Sequence, residues 1–280
     1  METQLPNIKA LVKACHQQGC EYSFIDDNKN AMAVSIAGKT HYFVKSSTPL
    51  NKESEIAIVR DKEFTHRLLK LHIRMPETVG YFTPYPNADS YKKYAVFESV
   101  ADISRDVVKQ FSFPVVVKMN SGSKGRNVSL CRDEGEVVKA LQAVFNRKSA
   151  DWDYVAIVQE YVVTRKEYRV IMLDGEVVLL YQKVPLFFSK DEKRQKRKEL
   201  SEGAYSVDID FLQRVQDFLQ PVFSVLPMCL AGCDLVEDTN GSLHFIELNS
   251  SPQFSGFISR YGDDEIVAMY VKIVELCKKI

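Results

Sequence analysis

The sequence predicts an α+β fold, with helices and antiparallel strand pairs occupying separate stretches of the chain. Three observations carry this. Apolar residues recur at helical spacing in stretches such as 207–226; short apolar runs such as FPVVVKM and VAIVQEYV read as strands; and two pairs of runs meet at Asp174-Gly175 and Asn240-Gly241, which favour tight hairpin turns.

Taken in order, residues 7–18 space Ile8, Leu11, Val12 and Cys15 for a helix that Gly19 ends. YSFIDD, AMAVSIAG and THYFVKS follow as a small antiparallel sheet, and this piece closes near Leu50. Ile56, Val59, Phe64, Leu68 and Leu71 predict one or two helices before Pro76 returns the chain to extended form. The aromatic-rich stretch 81–94, with Pro84, Pro86 and Asn87, is expected to be a loop. Then come a helix over 102–110, strands FPVVVKM and NVSLC around a glycine-bearing turn, a helix over 134–145 and the strand VAIVQEYV. EYRVIML and EVVLLYQKV form the first hairpin. A charged loop precedes the helix 207–226, whose expected apolar face is Ile209, Leu212, Val215, Leu219, Val222 and Phe223. LAGCDLVED and LHFIELNS form the second hairpin, and a last helix starts near Asp264.

The 280 residues are 45% hydrophobic, enough to bury a sizeable core. With 37 basic and 37 acidic residues there is no global field to recruit nucleic acid or an anionic membrane. Six scattered cysteines without paired metal-ligand spacing read as reduced, mostly buried thiols. No secretory leader or membrane-length apolar run is evident, so a cytoplasmic protein is expected.

Four stretches carry chemistry. Asp234, Glu247 and Asn249 lie on the second hairpin, with Glu247 and Asn249 on one strand face; three such oxygens suit magnesium, although a solvated hairpin face would carry them equally well. Lys118 sits inside an apolar strand and needs an anion; Ser121, Gly122, Ser123, Lys124 and Gly125 after it form either a phosphate-approaching loop or an ordinary turn. VQEYVVTRKEYRV carries Glu160 and then Glu167 and Arg169 on one face, fit for a nucleotide or for cross-strand ion pairs. The basic run at 190–198 reads as a solvated loop, or as a flap over a phosphate site.

With these residues in order, residues 52–280 resemble the ATP-grasp superfamily, above all ribosomal-protein glutamate ligases and glutathione synthetases. RDKEFTHRLL, PVVVKMNSGSKG, VQEYV, EYRVIMLDGEVV, RKELSEGA, GCDLVED and FIELNSSP carry the resemblance. It implies two α+β lobes clasping Mg-ATP, with a short N-terminal α/β region and linker helix over 1–100, a lid subdomain over 101–162 and a metal-bearing subdomain over 163–280. Lys62, Lys118 and the 121–125 loop would contact ATP phosphates. Glu160, Tyr161 and Val162 would line the adenine pocket, and Glu167 would bind ribose. Arg169, Lys183 and Arg197 would serve the reacting groups, and Asp234, Glu247 and Asn249 would hold magnesium, or manganese in its place.

The implied reaction joins a carboxylate to an amine through an acyl phosphate, on amino acids or peptides, with no membrane or nucleic-acid partner; ligases of this kind often form homo-oligomers. Two departures stand out. Arg197, Lys198 and Glu199 replace the usual Arg-x-Asn, and the stretch before Lys62 is short for a full amino-terminal domain. A phosphotransferase acting on a hydroxyl and an ATP-binding regulator without turnover remain the alternatives.

Overall fold

A computed structural model describes residues 4–122, 125–184, 187 and 208–280. Helix α1 (Pro6–Gln18) begins with proline, whose missing N–H costs nothing there, and ends on Gly19 in the left-handed region. Strands β1 (Tyr22–Phe24), β2 (Ala31–Ile36) and β3 (Lys39–Val44) form an antiparallel meander. Helix α2 (Glu53–Arg60) leads to α3 (Lys62–Leu69), where the Asp61 carboxylate accepts from Phe64 N and caps the helix.

The next sheet has the order β4-β7-β5-β6, all pairs antiparallel, from β4 (Thr78–Phe82), β5 (Val115–Met119), β6 (Ser129–Cys131) and β7 (Val155–Glu160). A single turn, α4 (Asp89–Lys92), follows β4, so the stretch expected as loop contributes the end of a strand and a helical turn. Strand β4 thereby brings residues from before position 100 into this lobe. Helices α5 (Val100–Gln110) and α6 (Glu134–Val144) share a core with one sheet face through Ile103, Val107, Val137 and Leu141. Strand alternation sends Val115, Val117 and Met119 into that core and leaves Val116 and Lys118 on the other face.

The third sheet has the order β11-β10-β8-β9, from β8 (Thr164–Leu173), β9 (Glu176–Lys183), β10 (Leu230–Asp238) and β11 (Leu243–Asn249). Asp174 and Gly175, with φ of 52° and 84°, make the β8–β9 hairpin as expected of this dipeptide. Helix α7 (Ile209–Val225) covers one face with Val215, Leu219 and Val222. Ile209, in the first turn of α7, is by contrast 82% exposed, Phe64 in the first turn of α3 is 57% exposed, and Leu71, 87% exposed, lies beyond the end of α3: helical spacing identifies a face but not how far the helix runs or what packs on its ends.

The opposite face of this sheet is split. Ile171, Leu173, Leu179 and Leu230 join a core with α1, the N-terminal sheet, and the C-terminal helices α8 (Ser255–Tyr261) and α9 (Asp264–Cys277). Glu167, Arg169, Asp234 and Glu247 occupy the remaining end, which no helix among the described residues covers and which lines a cleft. Asn7 ties these layers together: its amide donates to Pro252 O and Tyr270 Oη, while its oxygen accepts from Phe254 N. All six cysteines are free, four of them buried. Among the described residues no helix is long and apolar enough to cross a membrane.

Candidate active site

A cleft of about 420 Å³ is lined by residues of β5, β7, β8, β9, β10 and β11. Its floor is a cross-strand row. Arg169 on β8 is the direct register partner of Asp234 on β10, which is in turn the partner of Glu247 on β11. A bulge opposite Asp234–Leu235 inserts Ile246 as an extra residue. Phe245 and Leu243 therefore turn into the core under α7 while Glu247 and Asn249 face the cleft.

Arg169 Nε lies 3.0 Å and Lys183 Nζ 3.2 Å from Asp234 Oδ1. In the orientation its neighbours dictate, Asn249 donates to Glu247 Oε1 (3.2 Å) and accepts from Arg169 Nη1 (3.0 Å). Burial pulls the Arg169 pKa down, but Asp234, Tyr181 and Glu247 outweigh it and the net shift is upward. Glu167 is the register partner of Lys183 on β9, so both point into the same end of the cleft.

On the facing wall, Lys118 is 7% exposed, and its ammonium donates to Gln159 Oε1 at 3.0 Å. Burial is the main cause of its depressed pKa, about 8; Lys62 lowers it further, while Glu247 and Asp234 act the other way. Lys62, the first residue of α3, donates to the carbonyls of Asn120 (3.1 Å) and Gly122 (2.5 Å), which ties α3 to the root of the glycine-bearing turn. Gly122 and Gly125 line the cleft. A Cβ on Gly122 would fall 2.7 Å from Met119 Cε and 3.0 Å from Met119 Cβ, so a larger residue here would have to displace the Met119 side chain. Ser121 instead turns away: its N and Oγ both donate to Asp153 Oδ2 at 2.7 Å.

Glu160, Tyr161 and Val162 run off the end of β7 and line the same cleft. The Glu160 carboxylate accepts from Glu77 N at 3.2 Å, and Tyr161 stands edge-on to Phe187 with centroids 5.8 Å apart. Of the residues singled out from the sequence, Ser123, Lys124, Arg197 and the basic run 190–198 lie outside the described residues. Sequence reasoning passed over Gln159, although an amide inside the apolar run VAIVQEYV, on the sheet face of Lys118, was the available signal.

The donor set suits a hard divalent cation. Asp234 Oδ1 is buried and ion-paired with Arg169 and Lys183 but accepts no hydrogen bond of good geometry, and it stands beside a second carboxylate and an amide. Among the described residues no three His, Cys, Asp or Glu side chains assemble; the two carboxylates of this wall are Asp234 and Glu247, with the Asn249 amide beside them.

Residues 90–273 match the family model described as the RimK-like ATP-grasp domain, and the chain belongs to that family. It is 23% identical over 231 residues to an alpha-aminoadipate–LysW ligase, LysX, of Sulfurisphaera tokodaii, covering 82% of this chain and 73% of that protein. Among solved structures it is similar to a D-alanine–D-alanine ligase from Bacillus anthracis (TM-score 0.56, 17% identity, 82% of this chain and 71% of that one). It is also similar to a bifunctional glutathione synthetase from Pasteurella multocida (TM-score 0.54, 15% identity, 97% of this chain). The chain spans 44% of that longer enzyme. These structural likenesses establish the α+β ATP-grasp fold.

Proposed function

We propose that the protein is a magnesium- and ATP-dependent ligase that activates a carboxylate and joins it to the amine of an amino acid or peptide. The observation that carries this reading is the Arg169–Asp234–Glu247 row facing the buried Lys118 across one cleft: oxygen donors for a cation on one wall, and a cation for phosphate on the other. Membership of the RimK-like ATP-grasp family, and the names of its ligase relatives, support the same class of chemistry.

Asp234, Glu247 and Asn249 would hold magnesium, which when bound supplies positive charge against the phosphate oxygens. Lys118 and Lys62 hold phosphate groups by charge, and Gly122 and Gly125 line the cleft beside them, where glycine leaves the backbone open to a phosphate. Glu160, Tyr161 and Val162 border the adenine, and Glu167 accepts from ribose hydroxyls. The substrate carboxylate attacks the γ-phosphorus; the bond to the β–γ bridging oxygen breaks, and ADP leaves. Arg169 and Lys183 offset the charge gathering on the transferred group. The amine then attacks the acyl carbon and expels phosphate, and the amide forms with loss of the amine proton.

The test is ADP and phosphate release with magnesium, with amino acids and short peptides screened in pairs and Glu247→Ala as control. Turnover that requires both a carboxylate and an amine, with an amide of the summed mass less water, is the expected result. A stable phosphorylated hydroxyl compound would replace this reading with phosphotransfer, and ATP binding without turnover on any pair would replace it with a regulatory role.

A further inference from the structure

Gln159 is 5% exposed, and both ends of its amide are committed. Its Nε2 donates to Thr78 Oγ1 at 2.9 Å, while its Oε1 accepts from Lys118 Nζ at 3.0 Å. Thr78 Oγ1 in turn donates to Pro76 O at 2.9 Å. A hydroxyl has one proton, and that of Thr78 is spent on a carbonyl, so toward Gln159 it can only accept. The amide is thereby oriented with nitrogen toward Thr78 and oxygen toward the lysine. Register explains why the three meet: Thr78 on β4 is the partner of Gln159 on β7, and Gln159 is the partner of Val116 on β5, two residues from Lys118 on the same face.

We propose that Gln159, locked by Thr78, is a positioning residue that aims the Lys118 ammonium into the cleft without neutralising it. The inference rests on the reading of Lys118 as a phosphate contact. An ammonium on a four-carbon stem has many rotamers, and each one frozen before the ligand arrives is a cost that binding avoids. A carboxylate at 159 would hold the lysine equally well but would form a buried ion pair that competes with phosphate; a neutral acceptor holds it and leaves the charge available. Thr78 is not among the residues lining the cleft; it borders a small adjoining cavity with Lys118 and Gln159, and its hydrogen bond to Gln159 is the contact that links it to the lysine.

The experiment measures the Kd of Mg-ATP calorimetrically in the full-length protein, with thermal melting as a check on folding. Losing one orienting hydrogen bond predicts that Gln159→Leu weakens binding about tenfold and Thr78→Val about fivefold, while Thr78→Ser, which keeps the hydroxyl, restores it. In a Lys118→Met background Gln159→Leu has no further effect, because its action runs through the lysine. Equal weakening by Gln159→Leu in both backgrounds would overturn the proposal, as would equal loss in Thr78→Ser and Thr78→Val. If Lys118→Met weakens ATP and Gln159→Leu does not, the positioning role alone falls. If Lys118→Met leaves Kd unchanged, the phosphate reading of Lys118 falls and this inference with it.

Discussion

Arg169 and Asp234 are direct partners across β8 and β10, with the guanidinium Nε 3.0 Å from the carboxylate Oδ1. The same oxygen lies 3.2 Å from Lys183 Nζ, so one carboxylate balances two cations in a largely desolvated corner of the cleft.

Asp234→Asn is therefore expected to cost stability as well as activity. It leaves Arg169 and Lys183 partly buried beside each other without their shared counter-charge, a loss of about 3 kcal/mol. Urea unfolding measures it. Adding Arg169→Met to Asp234→Asn recovers much of that stability and none of the magnesium-dependent ADP release. A single variant as stable as the natural protein would mean that solvent already screens the pair.

Lys118 has its pKa depressed to about 8, against an ordinary lysine value of about 10.4. Below about pH 8 both folded and unfolded chains carry the proton, and the folded one bears the full burial penalty. Between about pH 8 and 10.4 the folded chain gives the proton up first, so this group's contribution to stability rises with pH. ATP phosphates would favour the charged form, so binding at pH 8.5 takes up protons. Calorimetry in two buffers of different ionisation enthalpy detects this, and Lys118→Met removes it.

Gly232 is the partner of Asn249, and a Cβ there would fall 3.0 Å from both Arg169 Nη1 and Pro252 Cβ. Gly232→Ala is expected to displace the guanidinium and lower kcat/KM roughly tenfold, for a stability loss of about 1 kcal/mol. Steady-state kinetics beside thermal melting separates the two effects.

Leu69 and Leu71 are two residues apart and unequal. Leu69 is fully buried, so Leu69→Ala should cost about 2–5 kcal/mol; Leu71 is 87% exposed, and Leu71→Lys should stay within about 0.5 kcal/mol. Denaturant midpoints distinguish them directly.

Much of the fold was legible from local pattern. Gly19 stops α1, Asp174 and Gly175 turn the β8–β9 hairpin with the positive φ values such a turn needs, and alternation in β5 sets Lys118 apart from Val117 and Met119. The helix ends were not legible: Phe64 and Ile209 have helical spacing but stay exposed in the first turns of their helices, and Leu71 lies past the end of α3, because periodicity names a face without saying where the helix stops or what lies against it. The stretch 81–94 read as loop from its prolines, yet its first residues complete β4, whose pairing partner β7 lies more than seventy residues on.

For the candidate site, the sequence by itself determined the chemical types: carboxylates and an amide on the second hairpin, a lysine in an apolar strand, glycines after it. It also determined that Glu247 and Asn249 share a strand face, since two residues of extended chain always do. Only the tertiary structure decided that Arg169, Asp234 and Glu247 stand in one row and that the bulge at Ile246 turns Phe245 away from them. It alone joined Thr78, Gln159 and Lys118 across three strands. Turn and bulge govern register within the β10–β11 hairpin, but the pairings of β8 with β10 and of β7 with β4 and β5 join strands distant in the chain, and the burial of whole sheet faces selects them.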